Sequence, residues 1–193
     1  MKYFNFKNYF ICLFVTTLLV ILRMMDPFFV ETLRLKGIDY YQIKQEEVES
    51  SNISIIEIDE TSLDKNGQWP WNRELIAKGV EKAFESGAQL VVIPILFAEK
   101  DRLGGDEYFT NVLSELPVII GQSASTKGKG APVPRGLANI GESLDGWLYD
   151  YPEAIGPVQK LGEYAAGVGM IVTSPELDGV VRRLPLIIQI KGE

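Results

Sequence analysis

Four carboxylates stand where a folded chain could turn them to chemistry: Asp59, Glu99, Asp101 and Asp106. Asp59 closes the apolar run Ile53–Ile58, Glu99 and Asp101 follow the apolar run Ala88–Phe97, and Asp106 opens a helical pattern. Hard oxygen donors of this kind suit Mg²⁺ or Ca²⁺. The chain has no histidine and a single cysteine, Cys12. A Cys/His zinc site, a Ser-His-Asp triad and an intrachain disulfide are therefore excluded. Acid–base work would fall to Asp, Glu, Lys or Tyr. A plainer reading competes: Asp59 accepts loop N–H bonds and Asp106 caps a helix.

Two further groups of residues carry the same ambiguity. Trp69 and Trp71 flank Pro70 in "QWPWNREL". Each ring can bury a large apolar area and anchor a loop on the following helix, or face a ligand as a stacking platform. Arg182 and Arg183 follow Asp178 across a turn. Neighbours on a strand point to opposite faces, so one arginine can pair with a carboxylate while the other meets solvent. The alternative is an anion-binding arginine. "GGDEYF" and "KGKGAPVP" lack the spacing of a phosphate loop.

These residues need elements to hold them. The chain has 193 residues and a formal net charge of -7, which argues against nucleic acid as a partner. Lys2 and Lys7 precede an apolar run from Tyr9 to Leu22, with Arg23 and Pro27 beyond it. A helix over residues 4–25, with Lys7 and Arg23 snorkelling, reaches the length of a membrane span. No small-x-small site precedes Asp26, so an uncleaved anchor is expected, with a cytoplasmic N-terminus and the remainder periplasmic or extracellular. Residues 26–52 read as a connector whose helix stops at Gly37.

Residues 53–193 read as one α/β domain. Ile53–Ile58 is expected as a buried strand, and Ala88–Phe97 as a central parallel one. Between them Asn72 caps a helix with Leu75/Ile76, Gly79/Val80 and Ala83/Phe84 on one face. Asp106–Leu116 is a second helix and Pro117–Gly121 a third strand. "SASTKGKGAPVPRG" reads as an exposed loop, and "AAGVGMIV" within Leu161–Thr173 as another strand entered through glycines. Asp178-Gly179 reads as the turn of an antiparallel C-terminal hairpin. The fold class is α/β: a mostly parallel sheet with helices on both faces, behind one transmembrane helix. The apolar run that reaches Glu193 is expected to continue in a longer parent protein.

The order of "ISIIEIDETSLDKNGQWPWNREL", "GAQLVVIPILFAEKD", "DEYFTNVL" and "AAGVGMIVTSPELDGVVRRLPLII" resembles the extracellular sensory domain of bacterial cyclases and histidine kinases, the second type of the CHASE series. The resemblance spans about residues 30–190. It rests on Asp59, Ser62, Leu63, Gly67, Trp69, Pro70, Trp71 and Arg73, then on Phe97, Glu99, Asp106 and Phe109. Asp178, Gly179, Arg182, Arg183 and Pro185 complete it. Glu60, Pro94, Met170 and Val172 depart from the pattern, the last three replacing polar residues. The resemblance implies a non-catalytic sensor without a cofactor, working as a homodimer on an undefined small-molecule or protein signal. It implies regulation of a class III adenylate or guanylate cyclase outside residues 1–193, or of a histidine or Ser/Thr kinase. A membrane-anchored enzyme holding a divalent cation on Asp59, Glu99, Asp101 and Asp106 is the rival reading.

Overall fold

The computed structural model describes residues 6–25, 27–46, 52–125, 146–173, 175–176 and 178–190. The chain divides into two compact units, Met1–Ile56 and Glu57–Glu193.

The first unit holds helices α1 (Phe6–Met25) and α2 (Phe28–Ile43). Pro27 separates them and suits a helix boundary, since its fixed φ and missing N–H stop one helix and can open the next. The apolar side chains from Tyr9 to Leu22 are exposed. Among the described residues no single helix is long and apolar enough to cross a membrane. The pair Tyr9–Met25 and Phe28–Ile43, bent by 86°, meets that test together by length and composition. The expected extension of α1 back to Phe4 lies outside the described residues. Gly37 does not stop α2, contrary to expectation; the helix runs on to Ile43. Glycine costs a helix only about 1 kcal/mol relative to alanine and keeps its N–H, so the ladder continues through it.

In the second unit Asp59 caps a short helix, α3 (Glu60–Asn66), which ends at Gly67. Asn72 caps α4 (Arg73–Glu85), its side chain accepting from the Glu74 N–H at 2.7 Å. Strand β1 (Val91–Leu96), helix α5 (Asp106–Glu115) and strand β2 (Val118–Ser125) follow. Then come β3 (Asp150–Tyr151), β4 (Glu153–Ile155), α6 (Gln159–Tyr164), β5 (Gly167–Met170) and β6 (Gln189–Ile190). The expected loop over residues 123–136 begins later than its composition implies. Residues 123–125 are strand, and the loop's remainder lies outside the described residues.

The sheet is mixed. Strand β2 is its centre, pairing in parallel with β1 and β5 and antiparallel with β4. The core lies on one face of it. Ile93, Val118, Ile120 and Val168 project toward Ala77 and Val80 of α4, Phe109, Val112 and Leu113 of α5, and Leu161 of α6. The helices pack in a row, α4 on α5 and α5 on α6. This corrects the expectation of helices on both faces. The crossovers β1–α5–β2 and β2–α6–β5 advance in one direction, and successive right-handed crossovers in one direction lay their helices on the same side.

Three strand expectations also change. Strand β1 is an edge rather than the centre, and Val92 on its outward face is 59% exposed. The Val91 N–H donates to the Pro117 carbonyl on the β2 side at 3.2 Å. By strand alternation position 94 faces the outer edge, where proline has no N–H to offer a further strand. Ile53–Ile58 forms no strand, and Ile55 is 91% exposed. β-branched residues favour an extended chain, but a strand needs a partner to complete the ladder. Nor does the C-terminal antiparallel hairpin form among the described residues. Gly179, at φ +80°, makes the expected turn, and two bonds cross it, from Glu176 N–H to Val180 O at 3.0 Å and from Gly179 N–H to Glu176 O at 2.8 Å. The closing strand β6 pairs instead with β3, in parallel.

Candidate functional site

The Asp101 and Asp106 carboxylates and the Glu99 main-chain carbonyl converge on Arg73, at the first turn of α4. Arg73 is 7% exposed. Its guanidinium donates to Asp106 Oδ1 and to the Glu99 carbonyl and lies over the Phe97 ring, 5.3 Å from the centroid. Asp101 is bonded by backbone: its carboxylate accepts from the N–H groups of Arg73 at 2.9 Å, Leu103 at 3.0 Å and Gly105 at 3.0 Å. Asp106 Oδ2 in turn accepts from the Asp101 N–H at 3.0 Å. Burial pushes the Asp101 carboxyl up. The three N–H donors and the Arg73 charge outweigh it, holding Asp101 below its ordinary value.

This arrangement is a clamp that closes the loop between β1 and α5 onto the start of α4. Glu99 enters it through its main-chain carbonyl, while Asp101 and Asp106 are committed to protein donors. Among the described residues no group of three or more His, Cys, Asp or Glu side chains is placed to hold a metal ion. Asp59 is not drawn into the clamp's hydrogen bonds. Its carboxylate accepts from the Ser62 N–H at 2.8 Å and hydroxyl at 2.6 Å, which hold its carboxyl below the ordinary value.

Trp69 and Trp71 meet edge to face, 5.9 Å between centroids, across a cis Trp69–Pro70 bond. Trp71 Nε1–H donates to the Gly67 carbonyl at 2.6 Å, which ties the ring to the end of α3. Trp69 remains 41% exposed. The pair anchors its loop and leaves one ring at the surface.

A second clamp forms around the C-terminal turn. Arg182 grips Asp178 with both guanidinium arms, at 2.9 and 2.7 Å, and its Nη1 lies 3.8 Å from Glu176. Asp178 is held down to about 2, chiefly by the Arg182 hydrogen bonds. Arg183 turns outward and approaches Glu176 Oε1 at 3.7 Å. Arg182 turns inward and Arg183 outward, though the strand on which such alternation was expected does not form at these residues.

The cavity lies elsewhere. An open cleft of about 470 Å³ lies at the carboxyl ends of β2 and β5, lined by Ser123, Ala124, Ser125, Tyr151, Ile171, Val172 and Thr173. Parallel sheets place ligand sites at such strand ends. Register builds the site. Ser123 and Ser125 are two apart on β2, hence on one face of the strand, and Ser123 pairs with Ile155 and Ser125 with Glu153 of β4. The Ile171 N–H donates to the Gln122 carbonyl at 2.9 Å, which keeps the chain leaving β5 beside β2. Gly121 permits this approach; a Cβ there would lie 3.0 Å from the Ile95 carbonyl oxygen and 3.2 Å from Ile171 Cγ2. Ile171, Val172 and Thr173 fall in the last stretch quoted from the sequence, but none of the lining residues is among the candidate site residues drawn from it. Carrying the alternation of "PVIIGQSAS" past Gly121 would have brought Ser123 and Ser125 into view. Tyr151 and Thr173 reach the cleft through pairing between segments distant in sequence, which no local pattern announces. Val172, one of the departures from the resemblance, lies on the cleft wall.

The geometry therefore separates two structural clamps, built from the motif residues, from a cleft built of hydroxyl, phenol and aliphatic groups. No curated protein and no solved structure matches the chain. The CHASE2 domain family matches residues 14–191. The chain belongs to the CHASE2 domain family, the extracellular sensory domains of signalling receptors.

Proposed function

We propose that the chain is the periplasmic sensor of a membrane receptor, anchored by α1, which as a homodimer regulates a class III adenylate or guanylate cyclase domain. The observation that carries this reading is a sensory-domain match over residues 14–191 that takes in residues 14–25 of the apolar helix α1. The large side chains of α1 from Tyr9 to Leu22 are exposed around its circumference, as in a helix that meets lipid on all sides. Lys2 and Lys7 favour a cytoplasmic N-terminus. Signal transfer needs two states that a ligand binds unequally. A ligand in the cleft beyond β2 and β5 would bias one arrangement of the outer unit, and α2 and α1 would carry the bias to the membrane.

The test is to read the parent gene past the codon for Glu193 and to measure cAMP and cGMP in cells that express the whole protein. Membrane spans followed by a cyclase domain, with cyclic nucleotide produced, are expected. A kinase domain in that place would move the output to phosphotransfer. A stop codon directly after Glu193 would overturn the receptor reading.

A further inference from the structure

Resting on the reading of this chain as a sensor, the geometry points to a polyhydroxylated, sugar-like molecule as the ligand of the cleft beyond β2 and β5. The groups on the wall carry this assignment. Ser123, Ser125 and Thr173 supply aliphatic hydroxyls; that of Ser123 donates to the Ala124 carbonyl at 3.2 Å and so meets a ligand through its lone pairs. A ligand hydroxyl can donate or accept, so it satisfies such groups whichever way their protons lie. Tyr151 adds an aromatic ring with a phenol at its tip, which suits the C–H face and rim hydroxyls of a pyranose. Ile171 and Val172 add aliphatic surface for the ring carbons. The cleft, at about 470 Å³, falls within the size range of small-molecule sites, roughly 300–1,000 Å³. It holds a monosaccharide with its water, or a disaccharide.

Its position suits a sensor. The wall joins three stretches distant in sequence: the end of β2, the strand β3 and the segment leaving β5. A ligand bridging them would fix their relative placement, and β3 also pairs with β6 near the end of the described chain.

The experiment is isothermal titration of the full chain, kept in a detergent without a sugar headgroup, with glucose, galactose and maltose. Glucuronate and glucosamine serve as charged counterparts. Binding of at least one neutral sugar is expected. Tyr151→Ala should weaken it roughly tenfold, the scale of a lost aromatic contact. Tyr151→Phe should retain most of the affinity, and Ser123→Val should weaken binding without moving the unfolding midpoint. Binding only of the charged probes, abolished by Tyr151→Ala, would overturn the ligand class and leave the cleft as the sensing site. Silence toward every probe, or binding indifferent to Tyr151 and Ser123, would overturn the assignment. The receptor reading stands or falls separately, on the cyclic-nucleotide measurement.

Discussion

The two arginine clamps use the same chemistry at opposite ranges. Arg73 and Asp106 lie 33 residues apart, and Arg182 and Asp178 lie 4 apart. The first joins the start of α4 to the start of α5 and to the loop after β1, against the Phe97–Phe109 aromatic pair of the core. The second closes a turn on itself. A long-range clamp orders separate elements, so its loss unties them and leaves the partly buried Asp106 carboxylate without its cation. A local clamp orders a few residues that the turn has already brought together. The difference teaches that a motif arginine's importance follows from what it ties together, not from the pair it forms.

The largest expected effect breaks the first clamp. Arg73→Met should destabilise the outer unit by about 3 kcal/mol, the lower end for opening a buried ion pair, because the Asp106 side chain retains 30% exposure. Urea unfolding measures it. A loss under about 1 kcal/mol, the level of a surface pair, would erase the distinction between the clamps.

Next comes Gly105→Ala, which leaves every charge in place and crowds the same clamp. A Cβ at 105 would meet Asn72 Oδ1 at 2.3 Å, the Glu74 nitrogen at 2.5 Å and Asp101 Oδ2 at 2.8 Å. Overpacking of this kind costs about 2 kcal/mol. Thermal unfolding of this variant should fall between wild type and Arg73→Met. An unchanged midpoint would mean that the loop after β1 yields freely, against the picture of a rigid tie.

The smallest effect belongs to the turn. The folded state depresses the Asp178 carboxyl from 3.8 to about 2. A depressed carboxylate contributes stability that is fully present above its ordinary value and is lost as pH falls through the lowered one. Arg182→Ala should therefore flatten part of the stability profile between about pH 4 and pH 2, with a smaller loss at neutral pH than Arg73→Met. The remaining acid slope belongs to Asp59 and Asp101, which are also held low. Acid titrations followed by circular dichroism distinguish the two. Identical profiles with and without Arg182 would show that its grip on Asp178 does not persist in solution.

Much of this was legible without coordinates wherever the signal is local. Asn72 as a cap, the helix over Asp106–Leu116 and the turn at Gly179 all depend on residues within one turn of each other. Pairing was not legible. Ile53–Ile58 has every compositional mark of a strand, and Ala88–Phe97 those of a central one. Yet the first has no ladder and the second is an edge whose outer side carries Pro94. The carboxylates are the same lesson at the site. Their spacing allowed a metal cluster, and the destination of their lone pairs depended on Arg73 from another element.

By itself, then, the sequence determined helices α4 and α5, the turn at Gly179, the excluded chemistries and the family to which the chain belongs, because each of these is written in residue types and short spacings. Tertiary structure alone decided which strand is central, which face the helices cover, which arginine meets which carboxylate, and that β2, β3 and the segment after β5 border an open cleft. Those outcomes depend on hydrogen bonds and contacts between residues far apart along the chain, where the free energy of one pairing is weighed against every competing partner and no local pattern records the result.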